Sequence, residues 1–142
     1  MRLSLCLISL LLLQTGCFSD YDHDVPDTEA NLEGFRRHFR FEPDQGVDGV
    51  FYYADELGAD PLYQIGFNGD REVVSRIIDS LGLQPGDRTG ISQVQGREFH
   101  WFRNSELSGM EVYSSVSGGG DLLRFLWYDP TSRRVRYLEY GM

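Results

Sequence analysis

The most regular pattern of apolar and polar positions lies between residues 68 and 83, NGDREVVSRIIDSLGL. Its apolar residues recur at helical spacing, at Val73, Val74, Ile77, Ile78 and Leu81. Because charged residues occupy the opposite side, we predict an amphipathic helix packed on a sheet. Asn68 or Asp70 can cap its start, and Gly82 stands where a left-handed residue commonly ends a helix.

A second helix is predicted nearer the start of the chain, from Thr28 to Phe39. Either Asp27 or Thr28 can accept a hydrogen bond from the first free backbone N–H groups and so cap it. Leu32, Phe35 and Phe39 recur at helical spacing, so they share one face. This face is expected to contact the core.

Strands are predicted where apolar and polar residues alternate. Residues 47–53 and 62–67 form one hairpin, joined by the long loop ADELGADP. Further strands are predicted over residues 98–104, 110–116, 121–128 and 134–140, and the turn DPTSR joins the last two. A loop is expected to begin at Pro85 and run to about Gly96.

This order of elements favours the α+β class. The helices are segregated from the hairpins, and no parallel crossover is required. We therefore expect an antiparallel β-sheet of about five strands with two helices, the second packed on one sheet face. The other face is expected to be partly exposed and aromatic, so that it could serve for recognition.

The N-terminal segment has a different character. Residues 3–13 are apolar apart from Ser4, Cys6 and Ser9. This run is too short for a membrane-spanning helix, which needs about 20 apolar residues. Its length is typical of the hydrophobic part of a secretory signal peptide. Small residues and then Cys17 follow in the stretch QTGC.

The stretch QTGC at the end of this run resembles the lipobox of bacterial lipoproteins, a resemblance that covers only the N-terminal segment. It implies that residues 1–16 are a signal peptide, removed just before Cys17, and that Cys17 carries the lipid. Gln14 departs from the pattern, because an apolar residue is usual there and Leu13 lies one place early. Cleavage as an ordinary secretory signal is therefore the alternative. Phe18, rather than Asp, follows the cysteine, which by resemblance favours the outer membrane over the inner.

The cysteine content is consistent with lipidation. The chain has two cysteines, and Cys6 would leave with the signal peptide. A single remaining thiol would otherwise be exposed in an oxidising compartment. Acylation of Cys17 removes that exposure and leaves the mature chain without a disulfide. We divide the chain into a signal peptide, an acidic tether over residues 17–27 and one α+β domain over residues 28–142.

The charge of the chain limits its partners. The formal net charge is -9, and lysine is absent, so arginine carries all the fixed positive charge. Nucleic acid and anionic membrane faces would repel such a surface. We therefore expect no nucleic-acid partner. A basic protein of the envelope is permitted as a partner.

Two groups of carboxylates are candidate sites. In the tether, Asp20, Asp22 and Asp24 alternate, but an EF-hand loop counted from Asp20 would need a Gly and a Glu where Val25 and Asn31 stand. A solvated linker is favoured over a calcium site. The second group lies in the first hairpin loop.

The loop carboxylates are Asp55, Glu56 and Asp60. They could hold a divalent cation or act as an acid/base pair, with His100 as a further candidate. Catalytic carboxylates need one raised pKa, usually through burial in a pocket. A solvated turn is favoured.

Basic residues cluster at the end of the first predicted helix, at Arg36, Arg37, His38 and Arg40. They could bind an anion or an anionic lipid, although cations at a helix C-terminus also complement the helix dipole, and this second interpretation is favoured. Across the last hairpin, Arg124 and Arg136 are expected to pair with Glu139.

Trp101 is a candidate binding residue. Tryptophan is enriched where proteins bind each other, but an aromatic residue in a predicted strand more often packs inward, so a core position is favoured. His23, His38 and His100 are too widely spaced for the close helical pair of a zinc site, and we expect no metal and no cofactor.

No catalytic or nucleotide-binding motif accompanies these residues. The chain lacks a GxSxG elbow and a GxGxxG stretch, and its SGGG segment lacks the context of a P-loop. The leading hypothesis is a lipid-anchored binding protein of the cell envelope, with a non-enzymatic role favoured over an enzymatic one. The alternatives are an envelope hydrolase that uses the loop carboxylates and an inhibitor or immunity-type lipoprotein. A small-ligand or metal carrier is a third interpretation.

Overall fold

Six antiparallel strands form one sheet in the computed structural model of the chain. Residues 21–57, 60–86, 96–116, 119 and 121–141 are described by it. In chain order the elements are α1 (Glu29–Phe39), β1 (Val47–Asp55), β2 (Leu62–Gly69), α2 (Arg71–Leu81), β3 (Gln84–Pro85), α3 (Asn104–Leu107), β4 (Glu111–Val116), β5 (Leu122–Asp129) and β6 (Arg134–Gly141). This arrangement confirms the predicted α+β class. The short elements β3 and α3 account for the additional strand and helix.

The strands lie in the order β1-β2-β6-β5-β4-β3. The two hairpins pair as predicted, and β6 lies between β2 and β5. In the centre of the sheet Tyr137 pairs with Ile65 on one side and with Leu126 on the other. All three side chains are fully buried on the same face. Strands that are distant in sequence therefore share one core.

Helix α1 begins as its sequence predicts. The Thr28 side chain accepts a 3.2 Å hydrogen bond from the backbone N–H of Asn31, which caps the first turn. Phe35 and Phe39 are buried against the sheet. The helix ends at Arg40, whose left-handed backbone (φ 65°) directs its N–H to the carbonyl of Arg36.

Helix α2 also confirms its predicted caps. The Asp70 side chain accepts from the backbone N–H of Val73 at 3.0 Å. Gly82 adopts the left-handed conformation with φ 63°, and the N–H of the next residue, Leu83, donates to the carbonyl of Ile78. This places the buried Leu83 side chain in the helix-side core. Val73, Val74 and Ile77 contact the same core, so α2 packs on one sheet face as expected.

A second layer covers the opposite face of the sheet. Trp127 and Leu138 point to this side and pack with four buried residues of the segment 96–110, namely Trp101, Phe102, Leu107 and Met110. The aromatic face expected from the sequence is therefore covered in part by the chain itself. Val116 lies at its margin, with 61% of its surface exposed.

The prediction of a strand over residues 98–104 is wrong. Phe99 and Phe102 exchange two backbone hydrogen bonds, of 3.0 and 3.1 Å, across a tight turn, and α3 follows. The preference of aromatic residues for strands reflects their packing on a pleated surface. Here that surface is the sheet below: Trp101 stacks on Phe51, and a Cβ on Gly66 would come within 2.5 Å of the indole. The glycine thus allows the indole to lie directly on the strand.

Residues 21–27, which we call the strap, lie against the domain. Asn31 of α1 accepts from the backbone N–H of Asp22 and donates to the carbonyls of Asp22, Val25 and Val50. The Asp27 carboxylate accepts from the N–H groups of β1 residues Gly49 and Val50, and its own N–H donates to the Val50 carbonyl. The described part of the predicted tether is therefore fixed to the outer edge of β1.

The other edge of the sheet ends in β3, where Pro85 has no backbone N–H to donate. Within the described ranges, no helix is long and apolar enough to cross a membrane.

Candidate functional site

A cavity of about 370 Å³ opens between the C-terminal ends of α1 and α2 and the sheet. Its volume lies within the range of small-molecule sites. It is lined by Arg37, His38, Arg40, Tyr52, Glu56, Tyr63, Leu81, Arg124 and Glu139. Helix α1 and its C-cap residue Arg40 contribute three basic side chains, and strands β1, β2, β5 and β6 contribute the polar groups beneath them. The lining of the cavity is thus rich in arginine, although the chain as a whole is acidic.

Glu139 forms the floor of this cavity. It is only 8% exposed, and its carboxylate accepts 2.7 Å hydrogen bonds from Arg124 Nε and Tyr137 Oη. His38 Nε2 lies 3.5 Å from the same oxygen. Arg124 and Glu139 are direct partners in the register of β5 and β6, so the predicted pair is confirmed.

Arg136 does not join this network. Side chains alternate between the two faces along β6, and Arg136 lies on the side opposite to Tyr137 and Glu139. It is buried, with 9% of its surface exposed, and donates to the carbonyl of Val135 at 2.8 Å. The expected pairing of Arg136 with Glu139 is therefore wrong. Its burial lowers the pKa of Arg136 to about 10.

The environment of Glu139 keeps its carboxylate ionised. Burial alone would raise the pKa, but hydrogen bonds from His38 and Arg124 outweigh burial and lower the pKa of Glu139 to about 2. A carboxylate with so low a pKa is a poor proton acceptor near neutral pH and holds no proton to donate. The floor of the cavity is therefore suited to fixing charge rather than to moving protons.

Arg37 and Arg40 form the rim, and both side chains are exposed. Arg36, one position earlier, points away and contacts the carboxylates of Glu29, Glu33 and Glu42. Among the described residues, neither rim arginine belongs to an ion pair. The basic cluster noted in the sequence thus divides into one neutralised arginine and two that face the cavity.

Tyr52 adds a hydroxyl to the wall. The residue is 1% exposed and lines the cavity, and no described residue forms a hydrogen bond with its Oη. Burial raises the pKa of Tyr52 above its usual range, so the phenol keeps its proton and can donate it. Beside it, Tyr63 Oη donates to Glu56 at 2.9 Å. The cavity therefore presents two guanidinium groups and a hydroxyl donor near one exposed carboxylate.

The loop carboxylates do not converge. Asp55, Glu56 and Asp60 are all exposed, and Glu56 alone among them lines the cavity. Asp55 accepts from the backbone N–H of Leu57, as in a solvated turn. His100 packs on Phe51, on the other face of the sheet, with ring centroids 5.2 Å apart. The structure does not bring these residues together.

Trp101 lies in the second core layer, 5% exposed, and stacks between Phe99 and Phe51. Its indole N–H donates to the carbonyl of His23 in the strap at 2.7 Å. These contacts agree with the core interpretation and leave little of the indole for a partner. Cys17 and its flanking residues lie outside the described residues, as does most of the SGGG segment.

A second cavity, of about 420 Å³, lies at the start of α2 and is lined mainly by polar residues, among them Asp44, Asp70 and Glu72. In the ranges that the structure describes, no group of three or more His, Cys, Asp or Glu side chains could hold a metal ion. In the strap, the Asp22 carboxylate instead accepts from the backbone N–H groups of Asp24 and Val25.

The sequence did not identify Tyr52 as part of the cavity wall or Glu139 as its floor. A signal for Glu139 was present, because it follows Val135 and Tyr137 at alternate positions and so falls on the helix-side face of β6. A carboxylate at such a position needs partners. Tyr52 offered no comparable signal, because a tyrosine among the aromatic residues of β1 fits an ordinary core.

No family model matches the chain, and no curated protein and no solved structure matches it. We therefore infer a function from the chemistry of the cavity and from the N-terminal segment.

Proposed function

We propose that this protein is a lipid-anchored, non-enzymatic binding module of the cell envelope that takes a small anionic ligand into the cavity. Cys17 carries the lipid after removal of residues 1–16, and the outer membrane is favoured over the inner. The resemblance of QTGC to a lipobox supports the anchor. The ligand site is supported by the geometry of the cavity.

The pair Arg37 and Arg40 is the observation from which we infer that the ligand is an anion. Both guanidinium groups line a cavity and belong to no ion pair of the described chain, although the protein as a whole has a net charge of -9. Guanidinium groups present planar sets of donors that match carboxylate and phosphate oxygens. The hydroxyl of Tyr52, which has no hydrogen-bond partner among the described residues, adds a third donor in the same space.

The helix dipole explains basic residues at the end of α1, but it does not require a cavity or a buried hydroxyl donor beside them. The neutralised floor is also compatible with an anion, since Arg124 already compensates the charge of Glu139. Three donors can therefore act on a ligand without an uncompensated buried carboxylate opposing it.

Two features support binding rather than catalysis. Glu139, with a pKa of about 2, is a weak base, and the exposed loop carboxylates do not face each other across the cavity. A protein partner is a second candidate, as for an inhibitor or immunity-type lipoprotein. The net charge of -9 favours it, because an acidic surface steers a basic protein toward it.

Anion titration tests the proposal. Every described element lies within residues 21–141, so we expect a chain that begins at residue 18 to keep the fold. NMR shifts would be followed while inorganic phosphate or glycerophosphate is added. We expect shifts at Tyr52 and α1 that the double variant Arg37→Gln/Arg40→Gln weakens by about tenfold or more, since a hydrogen bond to a charged group contributes roughly 1.5–3 kcal/mol.

The matched control is Arg103→Gln/Arg133→Gln, which removes the same charge at exposed positions that do not line the cavity. Equal weakening by both double variants, or the absence of shifts at the cavity, would contradict an anion site there.

A further inference from the structure

The strap contacts the wall of the cavity. The ring of Tyr21 lies 4.4 Å from the ring of Tyr52, and the guanidinium of Arg37 lies over Tyr21 at 5.6 Å. Both Tyr52 and Arg37 line the cavity. The beginning of the strap and the ligand site are therefore adjacent.

The strap is also fixed in place. Asn31 is fully buried and holds the strap through its side-chain amide, in bonds of 2.8 Å to the Asp22 carbonyl and 2.9 Å to the Val25 carbonyl. Asp27 binds the edge of β1 at the other end of the strap, with bonds of 2.7 and 3.0 Å. Tyr21 consequently has a defined position relative to the rest of the domain.

Chain length then limits the distance from the lipid to the cavity. Four Cα–Cα steps separate Cys17 from Tyr21. Whatever the conformation of this stretch, it spans at most about 14 Å. A lipid on Cys17 would therefore keep Tyr21, and the cavity wall beside it, near the membrane surface.

We propose that the anionic ligand of the cavity is the headgroup of a phospholipid in the membrane to which the protein is anchored. This inference rests on the proposed function, both for the lipid and for the anion site. Arg37 and Arg40 bind the phosphodiester, and the Tyr52 hydroxyl donates to one of its oxygens. The volume of about 370 Å³ is sufficient for a headgroup.

The charge around the cavity favours a zwitterionic headgroup that carries an ammonium. The rim carboxylate of Glu56 can face the ammonium while the arginines hold the phosphodiester. Asp22, Asp24 and Asp27 of the strap would be repelled by a strongly anionic surface. A headgroup without net charge avoids this repulsion and still offers the oxyanion.

The test compares glycerophosphoethanolamine, a short-chain phosphatidylethanolamine below its micelle concentration, and inorganic phosphate on the chain from residue 18. We expect both ethanolamine esters to shift the cavity resonances and to bind at least about tenfold more tightly than phosphate. Arg37→Gln/Arg40→Gln should weaken all three, since each contains the oxyanion.

Glu56→Gln separates the headgroup from a bare oxyanion. This substitution should weaken the ethanolamine esters severalfold and leave phosphate unchanged or tighter, because it removes a partner of the ammonium and a repulsion toward phosphate. Asp60→Asn is the matched control, since Asp60 is exposed and does not line the cavity.

The outcomes distinguish the two proposals. Phosphate binding that equals or exceeds ester binding, with no effect of Glu56→Gln on either, overturns the headgroup inference and leaves an anion site. If none of the three probes binds at the cavity, both the inference and the proposed ligand class fail. A flotation assay then uses vesicles of phosphatidylethanolamine and phosphatidylcholine in equal parts. The chain from residue 18 should rise with the vesicles. The double variant Arg37→Gln/Arg40→Gln should stay in the fraction without vesicles.

Discussion

Arg124 and Glu139 face each other across β5 and β6, and a 2.7 Å bond joins the Nε of the arginine to the carboxylate. The pair lies beneath α1, where His38 approaches the same carboxylate oxygen. Because this pair belongs to the sheet and also forms the floor of the cavity, substitutions in the floor should change the free energy of unfolding of the domain.

Glu139→Gln should destabilise the domain by about 3 kcal/mol, because removal of one partner from a buried charge pair leaves the other without compensation. The free energy of unfolding, measured in urea at pH 7, tests this. Asp60→Asn makes the same chemical change at an exposed position and should alter stability by less than about 0.5 kcal/mol. Similar values for the two variants would show that the pair contributes little.

Acid should remove the contribution of Glu139. Its pKa is about 2 in the folded protein against an ordinary 4.5, so the native state binds fewer protons than the unfolded state between these values. Its stabilisation, about 3 kcal/mol, is therefore complete above about pH 5 and is lost as the pH falls toward 2. Urea unfolding at pH 7, 5 and 3 should show a steeper decline for the unmodified protein than for Glu139→Gln. Parallel declines would contradict the low pKa.

Asn31→Ala should lower the free energy of unfolding by about 2–4 kcal/mol, because it removes the buried amide that joins the strap to α1 and leaves backbone groups without partners. It should also expose the strap to cleavage near Asp22 at protease concentrations that leave the unmodified chain intact. Asn68→Ala is the control: within the described part of the chain, the Asn68 side chain makes one hydrogen bond, to Asp48, at the surface. A protected strap in Asn31→Ala would mean that other contacts hold it.

Gly66→Ala should destabilise the domain by about 1–3 kcal/mol, because its Cβ would meet the indole of Trp101. Gly109→Ala, where a Cβ meets nothing within 4 Å, is the matched substitution and should be close to neutral. Thermal unfolding measures both. If Gly66→Ala is as stable as Gly109→Ala, Trp101 does not pack directly on β2.

Cys17→Ser should abolish incorporation of labelled fatty acid and release the protein from the membrane fraction. The reason is that serine offers no thiol for acylation. The unmodified chain, expressed in parallel, supplies the reference. If that reference never carries label, the signal is cleaved in another way, as Gln14 allows, and no lipid on Cys17 holds the cavity near the membrane.

The parts of the fold that the sequence predicted are those with local causes. Asp70 and Gly82 bound α2 through contacts within a few residues of it, and both hairpins join strands that are neighbours in sequence. The segment 98–104 was misassigned because its aromatic side chains pack on a sheet built from distant strands. The strap was expected to be solvated because composition alone does not reveal that Asn31 binds it.

Only separate parts of the candidate site could be predicted from the sequence. The basic cluster and the Arg124–Glu139 pair were both visible in the sequence, but their juxtaposition depends on how α1 lies across β5 and β6. The direction of each arginine was not visible either, since Arg36 and Arg37 are neighbours in sequence and point to different surroundings.

The two margins of the sheet bear on how copies of this protein would meet. Proteins confined to a membrane surface encounter one another at high local concentration, and exposed strand margins are templates for intermolecular pairing. Asp27 occupies hydrogen-bonding groups of β1 at Gly49 and Val50, and Pro85 removes a donor at the opposite margin. The strap therefore gives the proposed anchored protein a means of resisting fibrous self-association: loss of Asp27 would expose β1 to a second copy.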